Sequence, residues 1–189
     1  MNKKKKIIIA ITGASGSIYG VRALEALKDN PEIETHLMIS KAANIVIAEE
    51  TGYKISEIEA LADEVYNVKD IAACISSGSN KTDGMLVAPC SMKTMAEIAN
   101  GLSSNLISRA ADVILKEKRK LVLMVRETPL SSIHINNMKT LSDIGVFICP
   151  PVPAFYNKPE TIDDIVNHSV GRVLDIFDID SDLVKRWKS

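Results

Sequence analysis

Several short stretches of this chain put small or hydroxyl-bearing residues where an anion could be held. The first is Gly13-Ala14-Ser15-Gly16-Ser17-Ile18-Tyr19-Gly20, directly after the apolar run Ile7–Ile11. Small side chains let backbone N–H groups approach a phosphate or a planar ring, and the positive end of a following helix favours the anion. The spacing is GxxGxxxG rather than GxGxxG. The next apolar run ends in Ser40-Lys41, without the acid that would hold an adenosine ribose. A mononucleotide therefore fits better than a dinucleotide. A hydrolase elbow centred on Ser15 would need glycine at 17, where Ser17 stands. Nor do His36, His134 and His168 offer a relay partner that the sequence makes evident; His36 is expected on the polar face of a strand.

A second candidate is Val87-Ala88-Pro89-Cys90 followed by Ser91-Met92-Lys93-Thr94. The proline is expected to end a strand, and two hydroxyls then stand among the unpaired N–H groups of a helix start. Ser91 also suits a plain N-cap. Cys90 beside a helix N-terminus is a candidate for a lowered thiol pKa, although such cysteines are more often simply packed. Further on, Arg126-Glu127-Thr128-Pro129 offers a guanidinium able to grip a phosphate or a ring carbonyl in two-pronged fashion. The proline-rich stretch Pro150–Tyr156 could present a phenol to an anion. Arg109 and Lys116 share a helical face roughly 10 Å apart. Each cation also has a plainer account: Arg109 can pair with Asp112, and Arg172 with Asp175.

No metal site is expected. Asp178, Asp180 and Asp182 begin like a calcium loop, but Leu183 occupies the position that needs glycine. Asp163-Asp164 lacks the DDxxD spacing of magnesium-diphosphate enzymes. The three cysteines, Cys74, Cys90 and Cys149, form no CxxC pair, which suits a reducing cytoplasm.

The elements that must position these groups alternate along the chain. Strands are expected at Lys6–Thr12, Ile33–Ser40, Met85–Ala88, Lys120–Val125 and Gly145–Cys149. The later ones are apolar on both parities, as in a parallel sheet covered on both faces. Helical patterns cover Ser17–Lys28, Lys41–Glu50, Ser56–Asp63, Ser91–Asn100, Ser104–Lys118, Ser131–Asp143 and Thr161–Phe177. Ser56 with Glu59 fits a capping box, and Asp163-Asp164 suit the first turn after Thr161. The fold class is α/β: a Rossmann-like three-layer sandwich of the flavoprotein type with a mostly parallel sheet, one domain over residues 1–189. In such a sheet ligands sit at the carboxyl ends of the strands, where all of these loops would lie.

Bulk properties narrow the partners. With 23 basic and 24 acidic side chains the net charge is −1, without the cationic excess of a nucleic-acid binder, and 4% aromatic residues leave few stacking platforms. The lysine run Lys3–Lys6 precedes an apolar stretch about half as long as a signal peptide needs. No stretch approaches the ~20 apolar residues of a membrane span.

Taken together and in this order, GASGSIYG, ISSGS, APCSMKT, SRAADVILKE, VRETPLSSIH and PPVPAFYNKPE closely resemble the flavin prenyltransferase family. The resemblance runs from about Ile7 to Trp187. It implies that Gly13, Ala14, Ser15, Ser40 and Ser91, Met92, Lys93 and Thr94 hold FMN, with Arg126 completing the site and Arg109 against the flavin. It further implies that Lys116, Glu127, Tyr156 and Arg172 hold the phosphate of dimethylallyl phosphate, and that Ser15, Glu50 and Glu127 stand near the reacting atoms. The implied reaction joins the allylic carbon to N5 and C6 of reduced FMN, without metal, for use by a prenylated-FMN-dependent decarboxylase. Family members assemble as homododecamers with FMN at subunit contacts. FMN-dependent peptidyl-cysteine decarboxylases share the fold and the P-x-S-x-x-T helix start, but their catalytic histidine has no counterpart here. A non-catalytic FMN-carrying subunit is the other alternative, and it would have no use for a second phosphate site.

Overall fold

Runs of isoleucine, leucine and valine favour extended backbone wherever both faces can be buried, and the chain uses them that way. The computed structural model describes residues 4–184; Lys3 and the 185–187 end of the family resemblance lie outside the described residues. Six strands, β1 (Lys5–Ile11), β2 (Ile33–Ile39), β3 (Glu64–Tyr66), β4 (Gly84–Cys90), β5 (Lys120–Val125) and β6 (Phe147–Ile148), form one sheet. Their order is β3-β2-β1-β4-β5-β6, and every pairing is parallel. Seven α-helices connect them among the described residues: α1 (Ile18–Leu27), α2 (Lys41–Glu50), α3 (Ile55–Glu59), α4 (Met92–Ala99), α5 (Leu106–Lys116), α6 (Ser132–Asp143) and α7 (Ile162–Ile176).

Side-chain alternation divides the interior into two cores. On β1, Ile7, Ile9 and Ile11 face α1 and α7, packing with Val21, Leu24, Val170 and Leu174. Ile8 and Ala10 face the other way, toward Met95 of α4 and Ala110 and Ile114 of α5. β4 repeats the division with Leu86 and Ala88 against Met85 and Val87, and β5 with Val122 and Met124 against Leu121 and Leu123. A strand with a covered layer on each side has no polar face, which is why these runs are continuously apolar. Among the described residues no helix is long and apolar enough to cross a membrane.

Several local expectations need correction. β3 was not anticipated: it is a three-residue edge strand, too short to show a period. The predicted strand Gly145–Cys149 contracts to Phe147–Ile148. α3 begins after Lys54, and its first turn is closed by Glu57 accepting from Lys54 N at 2.8 Å, not by Ser56 and Glu59. α5 is capped by Asn105, whose Oδ1 accepts from Ile107 N and Ser108 N. Pro89 does not end its strand, since β4 runs through it to Cys90 with a break in register after Val87. The ring has no N–H to give, but its carbonyl accepts from Thr12 N and Thr12 Oγ1.

His36 stands among polar side chains, as expected, with Glu34, Lys6 and Tyr66 around it, but it is buried. It is 2% exposed in β2, its Nδ1 lies 3.0 Å from Tyr66 Oη, and its ring stacks on that of Tyr66. Nε2 lies 3.0 Å from Glu34 Oε1 without the alignment of a hydrogen bond. Burial holds the imidazole below its ordinary pKa, and the attraction of Glu34 does not restore it. The unfolded chain thus takes up a proton near pH 6.5 that the folded one resists, so stability is lost as pH falls through and below that value. Urea midpoints at pH 7.5 and 5.5 are expected to fall more for the parent chain than for His36→Gln. Equal drops would show that this histidine is not the group responsible.

Candidate functional site

The strand order reverses between β1 and β4, so the loops leaving their carboxyl ends diverge and open a cleft. Thr12 ties the two sides together: its hydroxyl donates to Pro89 O at 2.7 Å and accepts from Ser91 N at 2.8 Å. The sequence reading missed this residue, whose only signal was a hydroxyl at the end of an apolar strand. Gly13 follows, and a Cβ there would come within 2.4 Å of the Ala42 Cβ, so only glycine lets the first loop pass so close to α2. Gly16 turns the chain with φ at +97°.

The cleft is a cavity of about 770 Å³, within the range of small-ligand pockets. One wall is Gly13, Ala14 and Ser15 from the first loop. Two helix starts open onto it. Ser40 caps α2, its Oγ accepting from Ala43 N at 3.1 Å. Ser91 caps α4, accepting from Thr94 N at 3.3 Å while its own hydroxyl donates to Thr94 Oγ1 at 3.1 Å. Met92 and Lys93 line the same end. Arg126 and Glu127 close the cleft from the end of β5, anchored by Arg126 N donating to Cys90 O. Two helix N-termini, hydroxyls and lysine and arginine cations together suit an anionic group. Ile45, Val68, Met92 and Ile107 offer apolar surface for a flat ring.

Cys90 is not a nucleophile of lowered pKa: it is fully buried, and burial pushes its thiol up.

Glu50, at the end of α2, reaches back to the first loop. Its Oε2 accepts from Gly16 N at 2.8 Å and, at longer range, from Ser17 N and Ser17 Oγ. Partial burial opposes its ionisation, but hydrogen bonds from Ser15 and from the loop N–H groups outweigh it and hold the carboxyl below the usual range. The start of α1 is therefore already occupied by a carboxylate of the protein itself.

The cleft also uses residues that the sequence did not single out: Lys41, Ala42, Ile45, Val68, Glu97, Asn105 and Ile107. Glu97 is 9% exposed. It accepts from Ser104 Oγ at 2.8 Å and Asn105 Nδ2 at 3.2 Å, fixing the start of α5 beside α4.

Arg109, Lys116, Tyr156 and Arg172 lie outside this cleft. Arg109 donates to Ser76 O and to Asp112 Oδ2. Lys116, at the far end of α5, is paired with Glu117 at 2.7 Å. The N-terminus of α5 faces the cleft, and ten residues of helix separate Leu106 from Lys116 by roughly 15 Å. Tyr156 contacts His168, and Arg172 pairs with Asp175 at 2.7 Å. Of the three histidines for which the sequence makes no relay partner evident, His36 and His168 contact tyrosines, and His134 Nδ1 accepts from Ser131 N. Among the described residues no group of three or more His, Cys, Asp or Glu gathers to hold a metal.

A parallel sheet in this order, with a mononucleotide-sized cleft at its reversal point, suits a flavoprotein, and the Flavoprotein family model matches residues 1–174. The flavin prenyltransferase UbiX of Neisseria meningitidis serogroup B is 54% identical over 184 residues, 97% of each chain. The structure of AnUbiX (PadA1) in complex with FMN and dimethylallyl pyrophosphate superposes with a TM-score of 0.96 at 51% identity, covering 99% of both chains. A dodecameric FMN-dependent UbiX-like decarboxylase of Escherichia coli O157:H7 also gives 0.96, at 54% identity, over 97% of this chain and all of that one. The chain belongs to the flavin prenyltransferase family.

Proposed function

We propose that this protein joins a dimethylallyl group from dimethylallyl phosphate to N5 and C6 of reduced FMN, and that the prenylated FMN passes to a partner decarboxylase. The observation that carries this reading is the cleft at the β1/β4 reversal, where two hydroxyl-capped helix starts and Arg126 meet an apolar wall. FMN has that pattern: an anionic phosphate at one end and a flat, largely apolar ring at the other. In the reduced state it supplies the nucleophilic ring atoms.

In this reading Gly13, Ala14, Ser15, Ser40 and the Ser91–Thr94 turn hold FMN, with Arg126 gripping it from the end of β5. Ser15 and Glu50 stand at the edge where the allylic group reacts, and Glu127 or the released phosphate takes up the proton from C6 as the new ring closes. Lys116, Glu127, Tyr156 and Arg172 surround the allylic phosphate, and the two cations with the Tyr156 phenol stabilise the charge it carries away. Because Lys116 and Arg172 stand apart from their own chain's cleft, neighbouring copies must supply them, as Arg109 would be supplied against the flavin. A closed homo-oligomer, a dodecamer in the E. coli O157:H7 relative, follows from that requirement. Residues 1–189 act as one FMN-binding domain, working in the cytoplasm.

The test is anaerobic. Photoreduced FMN-loaded protein is mixed with dimethylallyl phosphate, and the flavin is analysed by mass spectrometry for an added five-carbon unit. The adduct is expected, and its yield is expected to be unchanged by a chelator. If neither the monophosphate nor the diphosphate gives an adduct, the chain is an FMN carrier and not a prenyltransferase.

A further inference from the structure

His168 and Arg172 lie one turn apart on the same face of α7, and Tyr156 reaches His168 from the loop after β6. His168 is 8% exposed. Its Nε2 is 2.8 Å from Tyr156 Oη, and the two rings meet edge-on, their centroids 5.5 Å apart. Burial, with the nearby Arg172 charge, holds this imidazole below its ordinary pKa, so it is neutral at neutral pH with a single N–H to place.

The position of that hydrogen decides what Tyr156 can do. With Nε2 bare, the phenol gives its proton to the ring and turns only lone pairs toward an incoming anion. With Nε2 protonated, the imidazole donates to the phenol oxygen, and the phenol hydrogen points away from the ring. Only the second arrangement lets Tyr156 donate to a phosphate.

We propose that His168 is a positioning residue: as the Nε2–H tautomer it donates to Tyr156 and aims the phenol O–H at the anion held with Arg172. This rests on the reading that Tyr156 and Arg172 bind the allylic phosphate. His168 itself need not touch the substrate.

The experiment measures adduct formation against dimethylallyl phosphate concentration, using the full-length FMN-loaded assembly. Its variants are Tyr156→Phe, His168→Asn, His168→Gln and the Tyr156→Phe/His168→Asn pair. The asparagine amide is too short to reach the phenol, whereas the glutamine amide reaches the place of Nε2. His168→Asn is expected to raise KM for dimethylallyl phosphate roughly ten-fold, the scale of one hydrogen bond to a charged group, with FMN affinity unchanged. His168→Gln is expected to recover most of that loss. The double variant should be no worse than Tyr156→Phe alone, because a residue acting only through the phenol has nothing further to lose. Multiplying losses in the double variant, or a glutamine as poor as the asparagine, would overturn the proposal and leave His168 a packing residue. If Tyr156→Phe itself leaves KM unaltered, the proposal falls together with the phosphate role of Tyr156, an outcome the single variant identifies by itself.

Discussion

Arg172→Ala is expected to leave FMN binding near that of the parent chain while lowering prenylated-flavin formation roughly a hundred-fold, the scale for removing one preorganised group from a developing negative charge. Arg172 is well placed for such a separation of effects. It lies outside the cleft, as an exposed side chain between the buried Gly171 and Val173 of α7, and its partner within the chain is Asp175 at 2.7 Å. A phosphate arriving from a neighbouring copy's cleft would compete with that carboxylate for the guanidinium. If the cation acts mainly as the leaving group departs, turnover falls; if it acts equally on bound substrate, KM rises instead. Loss of FMN together with activity would mean that Arg172 supports the fold or the assembly. A mixed-assembly experiment tests the sharing directly. Glu50→Gln and Arg172→Ala chains, each expected to be strongly impaired alone, should regain activity when assembled together, since some clefts would then receive both intact groups. Failure to complement would place the whole site within one chain.

The second large effect concerns FMN itself. Arg126→Ala is expected to weaken its binding by roughly 1.5–3 kcal/mol, the range for a hydrogen bond to a charged group. The substitution should leave the local chain path intact, because Arg126 is held through its backbone N–H on Cys90 O, and Glu127 Oε1 is engaged by Thr128 N at 2.9 Å. The side chain's charge reaches Tyr19 of α1: burial raises that phenol's pKa, and Arg126 partly offsets it. Fluorescence titration with FMN reads the result. An unchanged affinity would move Arg126 out of the flavin site.

Much of this architecture was legible because burial on two faces leaves a strong mark. Ile7–Ile11, Met85–Ala88 and Leu121–Val125 are apolar at every position, and a parallel sheet under helices is the arrangement that requires it. β3 left no such mark, since Glu64-Val65-Tyr66 borders only one neighbour and is largely exposed. Helix ends were misjudged where the true cap was not the most obvious hydroxyl: Asn105 rather than Ser104, Lys54 rather than Ser56. In the site, the loop residues announced themselves by being small, hydroxylated and next to a strand end. Ile45, Val68 and Ile107 could not, because an apolar side chain facing a ring reads the same as one facing a core. Glu97 was hidden as one more helical carboxylate. The contacts His36–Tyr66 and His168–Tyr156 join residues distant in sequence, and no periodicity records them. Lys116, Tyr156 and Arg172 were picked out by family resemblance; within one chain their surroundings are those of ordinary surface ion pairs and a half-exposed ring contact.

The carboxylate of Glu50, seated on the first loop, gives the cleft a direction. Behind the Ser15 wall stands a fixed negative charge that already consumes the N–H groups of Gly16 and Ser17, while the lining offers the openings of α2 and α4 with Lys41, Lys93 and Arg126, set beside the carboxylates of Glu97 and Glu127. A ligand with a dianion at one tip and a neutral ring at the other meets these regions unequally. Entering backwards would press phosphate against carboxylate, a juxtaposition costing several kcal/mol. Charge thus favours one orientation of such a ligand before any contact with the ring is made.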